Sequence, residues 1–227
     1  MSAWTLVRSG ALLAAAFLAS VALAAGKPSP DEAMSHDGLQ KISVKGIELA
    51  YARPGVTLAG YQKVMLDPVG VSFRKDWNPT RAGSHLKLSA DERESIRTGV
   101  AKIVHEEFVR ELQRGGGYQV VADAGTDVLR VRPYIADLYV TAPGAGSVGS
   151  SRSYVVTAGE MTLVAELLDS ETGQVLARVI DRREARRAGQ MMRADSFTNA
   201  NEARDIAAAW ARILRNGLDR AHGIGRK

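Results

Sequence analysis

The chain has 227 residues, a net charge of +5 and no cysteine. Without cysteine it has neither disulfides nor thiolate chemistry, and no thiol through which a lipid is attached. Its 45% hydrophobic content is that of a globular protein, and a mild basic excess without basic–aromatic modules argues against nucleic acid and leaves two readings, an incidental surplus of charge or attraction to anionic surfaces.

Residues 1–24 read as a cleavable signal peptide. Arg8 is their single charged residue, followed by the apolar run Ala11 to Ala24. That run suits a signal-peptide core and falls short of the roughly 20 apolar residues of a membrane span. Ala22 and Ala24 put small side chains where a signal peptidase reads, so cleavage is expected before Ala25. The mature protein is then expected in the periplasm or secreted, without a transmembrane segment and not lipidated through cysteine. Residues 25–57 read as a partly disordered lead-in. Lys27-Pro28-Ser29-Pro30 is linker-like, and Ile42, Val44, Ile47 and Leu49 mark a short ordered piece. A single α+β domain is expected over residues 58–223.

Tyr61 to Phe73 predicts a strand whose apolar phase shifts at Pro68, as at a bulge or an edge. Residues 74–88 predict a loop. Ser89 and Glu92 then form a capping-box pattern. The helix that follows places Ile96, Val100, Ile103, Val104, Phe108 and Leu112 on one stripe. Gly115-Gly116-Gly117 ends it. Tyr118 to Ala122 predicts a short strand, and Asp127 to Thr141 a long one with a bend near Pro133 to Asp137. After a glycine- and serine-rich loop at residues 142–153, Glu160–Leu168 and Val175–Glu184 flank the turn Asp169–Gly173 as a hairpin. A last helix begins near Asn201, with Ile206, Trp210, Ile213, Leu214 and Leu218 on its apolar stripe. The expected fold is α+β: an antiparallel sheet of about five strands with two helices packed on one face.

Several patterns imitate chemistry. Gly144, Gly146 and Gly149 match the dinucleotide spacing, but a strand-like stretch follows where a helix N-terminus must point at the phosphates. Ser147 lies in a weak nucleophile-elbow pattern without a strand–turn–helix context, and His222 is the only later histidine. His36, His85, His105 and His222 do not cluster, and His105-Glu106-Glu107 lacks the i, i+4 histidine pair of a zinc helix. Asp123 and Asp127 lack calcium-loop spacing. No catalytic residue, metal or cofactor is therefore expected. The densest basic stretch is Arg178, Arg182, Arg183, Arg186 and Arg187, with Arg193 beyond. Such a stretch grips an anionic ligand or a partner, or protects a sheet edge from strand addition. Asp181 and Glu184 partly neutralise it.

Tyr61–Val69, Gly117–Val121, Asp127–Val131, Asp137-Leu138, Glu166–Arg178 and Trp210-Ala211 together resemble the bacterial family catalogued as domain of unknown function 3313, over roughly residues 58–222. The resemblance implies an exported protein. Many members resemble outer-membrane lipoproteins, a pattern from which the absence of cysteine departs. It implies no established activity and carries over no catalytic residue. It draws attention to Asp67, Asp137 and Arg178, expected as structural charges in an internal ion-pair set. The functional expectation is a non-catalytic envelope protein that binds or assists another envelope protein, a wall polymer or an anionic lipid surface. The alternative is a periplasmic hydrolase of an envelope ester or glycan, using Ser147 or a carboxylate pair.

Overall fold

A computed structural model describes residues 37–78, 87–141, 157–184 and 196–224. In chain order the elements are β1 (Gln40–Ile42), β2 (Leu49–Ala52), β3 (Lys63–Leu66), β4 (Gly70–Phe73), α1 (Ala90–Gln113), β5 (Gln119–Val121), β6 (Val128–Thr141), β7 (Thr157–Asp169), β8 (Val175–Glu184) and α2 (Ser196–Ala221). Helix α1 starts at the expected cap. Ser89 Oγ accepts the Glu92 N–H at 3.2 Å, and Glu92 Oε2 accepts the Ser89 N–H at 2.6 Å. Gly115 and Gly116 close it at positive φ, a region glycine enters without a Cβ penalty.

The fold is α+β with two helices among the described residues, but the sheet departs from the expectation in size and direction. It has eight strands among the described residues, ordered β1-β2-β8-β7-β6-β3-β5, with β4 also paired to β6. The β1–β2, β2–β8, β8–β7 and β7–β6 pairs are antiparallel, whereas β3 runs parallel to β5 and β6, and β4 runs parallel to β6. Periodicity reports which residues share a face and is blind to strand direction. The parallel pairing follows from connectivity, because α1 carries the chain from β4 back to a strand beside β3. The strand expected over Tyr61–Phe73 is divided at Asp67–Val69. Its halves lie one after the other along β6, with Val64 opposite Leu129 and Val71 opposite Ile135.

The phase switch in β6 has a conformational cause. Asp137 adopts φ +52, the only positive φ of a non-glycine residue among those described. The register with β7 shifts between Ala136 and Tyr139. Leu129, Val131 and Ile135 are buried before the bulge, Leu138 and Val140 after it. These side chains, with Met161, Leu163 and Ala165 of β7, form the sheet face on which α1 and α2 pack, Leu129 and Val131 in one cluster with Leu112 and Leu218 and the rest in another. Helix α1 contributes Ile96, Val100, Val104 and Phe108, and α2 contributes Ala203, Ala207, Trp210 and Ala211.

The short ordered piece expected in the lead-in becomes β1 and β2. Strand β2 lies against β8, with Ala50 opposite Val179 and Ala52 opposite Ala177. Leu39, Ala50 and Tyr51 are buried.

Candidate functional site

The two helices do not fill the whole inner face of the sheet. Helix α2 lies against β7, and beside it the rows continue through β8 to β2. One row runs Ala50–Val179–Ala165 and the next Ala52–Ala177–Leu167. Four of these six positions are alanine, so the sheet presents a low floor there. Above it is an apolar cavity of about 180 Å³. Phe108, Trp210 and Leu214 wall it on the helix side, and Ile42, Val44, Ile47, Val56 and Leu58 wall it on the side of β1 and the loops flanking β2. Close-packed interiors hold few voids larger than a water molecule, so a space of this size marks a departure from ordinary core packing.

One buried carboxylate fixes two of these walls. Asp181 continues the inward parity of Ala177 and Val179, and is 6% exposed. Its Oδ2 accepts the Trp210 indole N–H at 2.7 Å and the Arg183 Nε–H at 2.8 Å, while Oδ1 accepts the Glu48 backbone N–H at 2.9 Å. Arg183 also donates from Nη2 to the Gly46 carbonyl at 2.9 Å and stands over the Trp210 ring. A buried charge is tolerable only when paired and hydrogen-bonded, and Asp181 has three donors. Three segments meet there: β8, α2 and the turn between β1 and β2.

The opposite sheet face carries two rows of ion pairs. In the first, Asp67 meets Arg130 at 2.9 Å and Arg132 at 3.4 Å; Arg132 meets Glu166 at 3.2 Å; Glu166 meets Arg178 at 2.8 Å; and Arg178 meets Asp37 at 2.8 Å. Burial disfavours the Arg178 charge, but Glu166 and Asp37 outweigh it and hold its pKa above the usual arginine value. In the second row Glu160 joins Arg74 at 3.4 Å and Arg182 at 2.7 Å.

The basic stretch is therefore divided by strand alternation. Arg178 and Arg182 belong to the two rows on the outer face, and Arg183 points inward to Asp181. Arg186, Arg187 and Arg193 lie outside the described residues, as do Gly144, Gly146, Ser147, Gly149, His36 and His85. Asp67 and Arg178 are linked through Arg132 and Glu166. Asp137 is exposed at the β6 bulge and joins no ion pair among the described residues. His105 lies half-buried on α1. His222 stacks on Tyr118, and its Nε2 lies 3.0 Å from the Ala59 carbonyl. Asp127 pairs with Lys63 at 3.1 Å, and Asp123 is exposed. Among the described residues, no three metal-capable side chains gather into a site. No helix there is long and apolar enough to cross a membrane.

Sequence reasoning missed two features. Asp181 was legible from parity, because it follows Ala177 and Val179 by twos along β8. The alanine floor carries no signal of its own, since alanine occurs in every kind of element.

No curated protein matches the chain significantly. Among solved structures it is similar to a PelC dodecamer subunit from Paraburkholderia phytofirmans, with 10% identity over 78% of this chain and 98% of that one, at a TM-score of 0.35. It is also similar to a DUF330-family protein from Xanthomonas campestris, with 12% identity over 78% of this chain and 94% of the other, at a TM-score of 0.41. The model of the family described as protein of unknown function (DUF3313) matches residues 30–214, and the chain belongs to that family.

Proposed function

We propose that this protein is an exported, non-catalytic binding module of the cell envelope, and that its working element is the apolar cavity between α2, β8 and the β1–β2 region. The apolar leader with small residues at Ala22 and Ala24 supports the compartment. The cavity is the observation that carries the binding role. It is lined by aliphatic and aromatic side chains and is comparable to engineered apolar cavities of about 150 Å³ that stay dry and take up benzene. The charged side chains nearest to it serve structure: Asp181 and Arg183 are engaged with each other and with Trp210, Glu48 and Gly46. Of the three partner classes that the sequence suggests, an apolar-tailed ligand fits this cavity better than a wall polymer.

The test uses the mature chain isolated from the periplasm. Titration with the neutral fluorophore N-phenyl-1-naphthylamine is expected to give saturable binding at one site per chain. Ala177→Leu, which raises the floor, is expected to abolish it. Panels of ester and glycoside substrates are expected to show no turnover. Absence of uptake, or turnover that disappears in Ser147→Ala, refutes the proposal.

A further inference from the structure

Two exposed tyrosines share the outer face of the sheet, on the side away from the helices and the cavity. Tyr134 is 42% exposed and Tyr139 is 37% exposed. They stand five residues apart, an odd spacing that would turn them to opposite faces of a regular strand. The bulge at Asp137 absorbs one residue, so their register partners on β7, Val164 and Glu160, are four apart and lie on one face. Asp137 adopts the left-handed backbone at this bulge, a conformation that few residues other than glycine, asparagine and aspartate take up. Its side chain is exposed between the two tyrosines in the chain.

Between the tyrosines the face is low. Ala136 lies opposite Thr162. Ser72 falls between Val71, which is opposite Ile135, and Phe73, which is opposite Leu138. The two walls are held in place. The Tyr134 ring leans over Gly70, with its Cδ2 2.5 Å from where a Cβ would stand. Arg74 stands 4.2 Å over the Tyr139 ring and also pairs with Glu160. Four strand steps separate the walls, about 13 Å of backbone, which leaves a trough the width of a sugar ring between the side chains.

The chemistry of the trough selects its occupant. Among the described residues, the Ser72, Thr162 and Tyr134 hydroxyls and the Asp137 carboxylate make no side-chain hydrogen bond or ion pair. The cations beside them are committed, Arg74 to Asp76 and Glu160, Arg182 to Glu160 and Glu184. The uncommitted charge is the negative one of Asp137, so an acidic polymer is repelled. An apolar partner pressed onto this face would bury the ion pairs at a desolvation cost. A pyranose avoids both penalties. Its C–H face packs against tyrosine rings, and its hydroxyls replace water at the polar groups.

We infer that this trough is a second binding site, separate from the cavity, and that it takes an uncharged glycan. The glycan lies across β4, β6 and β7 with one pyranose between Tyr134 and Tyr139. Ser72, Thr162 and Asp137 hydrogen-bond its hydroxyls.

Isothermal titration of the protein with neutral pentasaccharides of β-linked glucose, mannose or N-acetylglucosamine is expected to show saturable binding of at least one. Tyr134→Ala and Tyr139→Ala are each expected to weaken it about tenfold. Asp137→Gly keeps the left-handed backbone without the carboxylate, and is expected to weaken binding by about threefold to tenfold with the far-UV circular dichroism unchanged. A galacturonate pentamer is expected to bind at least about tenfold more weakly than the neutral ligand. Ala177→Leu, on the cavity floor, is expected to leave glycan binding unchanged, and Tyr134→Ala to leave naphthylamine uptake unchanged, so each site stands or fails alone. Absence of binding by every neutral pentasaccharide, or binding unaffected in both tyrosine variants, overturns the site. Equal or tighter binding of the galacturonate pentamer overturns the uncharged ligand.

Discussion

Replacing Asp181 with alanine tests the node that joins β8, α2 and the β1–β2 turn. The substitution strands three donors: the Trp210 indole N–H, the Arg183 guanidinium and the Glu48 amide. Breaking a buried ion pair on one side costs about 3–5 kcal/mol, most of it from the unpaired charge that remains. Arg183 keeps some solvent contact and the Gly46 carbonyl, which puts its share at the lower end. The buried indole N–H adds about 1–2 kcal/mol as an unsatisfied donor. Together these give about 4 kcal/mol, a large part of the ~5–15 kcal/mol by which a typical domain is stable. In a domain of this size each kcal/mol moves the midpoint by about 2–4 °C, so the expected fall is about 8–16 °C. Urea and thermal unfolding of the protein, followed by far-UV circular dichroism, measure it. Adding Arg183→Met removes the orphaned charge, and the double variant is expected to recover more than about 1 kcal/mol relative to additivity. A loss below about 1 kcal/mol for Asp181→Ala, or no recovery in the double variant, would falsify the view that this carboxylate is a structural anchor.

Four further outcomes follow from other parts of the molecule. Gly117→Ala drives a Cβ into the Leu112 carbonyl oxygen, which is backbone and already accepts the Tyr118 N–H; the expected loss is about 2 kcal/mol or more by urea unfolding. Gly115 has open space around it but φ +61, so Gly115→Ala is expected to cost only about 1 kcal/mol. Asp67→Ala removes a partner from the half-exposed Arg130 and Arg132; at physiological salt it is expected to cost about 1 kcal/mol or less, and less still at high salt. Burial, reinforced by Asp169 and Asp219 respectively, pushes the Tyr61 and Tyr118 hydroxyls up to about 12. An unfolded tyrosine ionises near pH 10. The folded protein therefore binds more protons between pH 10 and 12. The stability from these two groups is complete below pH 10 and is lost as pH rises through 12. Spectrophotometric titration should show two tyrosines ionising near pH 12, and the double phenylalanine variant should lose that part of the alkaline slope.

Local chemistry was the legible part of this fold. The Ser89–Glu92 box, the glycines that end α1 and the β7–β8 hairpin each announce themselves within a few residues, because caps and turns depend on specific side chains at fixed offsets. The β6 bend was visible as a shift of apolar phase, and its cause is the Asp137 backbone. Strand direction was not visible, since a parallel and an antiparallel strand bury the same alternation. Strands β1 and β2 were underestimated because they are only three and four residues long, and Leu49–Ala52 contains two alanines. The site follows the same division. Asp67 and Arg178 could be named as charges of interest, but Glu166 and Arg132, which connect them, are ordinary strand residues in one dimension. The cavity depends on four alanines brought into register from three strands, which no local pattern encodes.

The pairing of β2 with β8 also sets an order of assembly. Ala50 faces Val179 across more than half the length of the chain, so the outer wall of the cavity can form only after the chain through β8 is free to fold. Contacts of such long span are the costliest to close and contribute little until the hairpin they join exists. The amino-terminal strands are accordingly the last part to seat, joining the sheet after the helices and central strands.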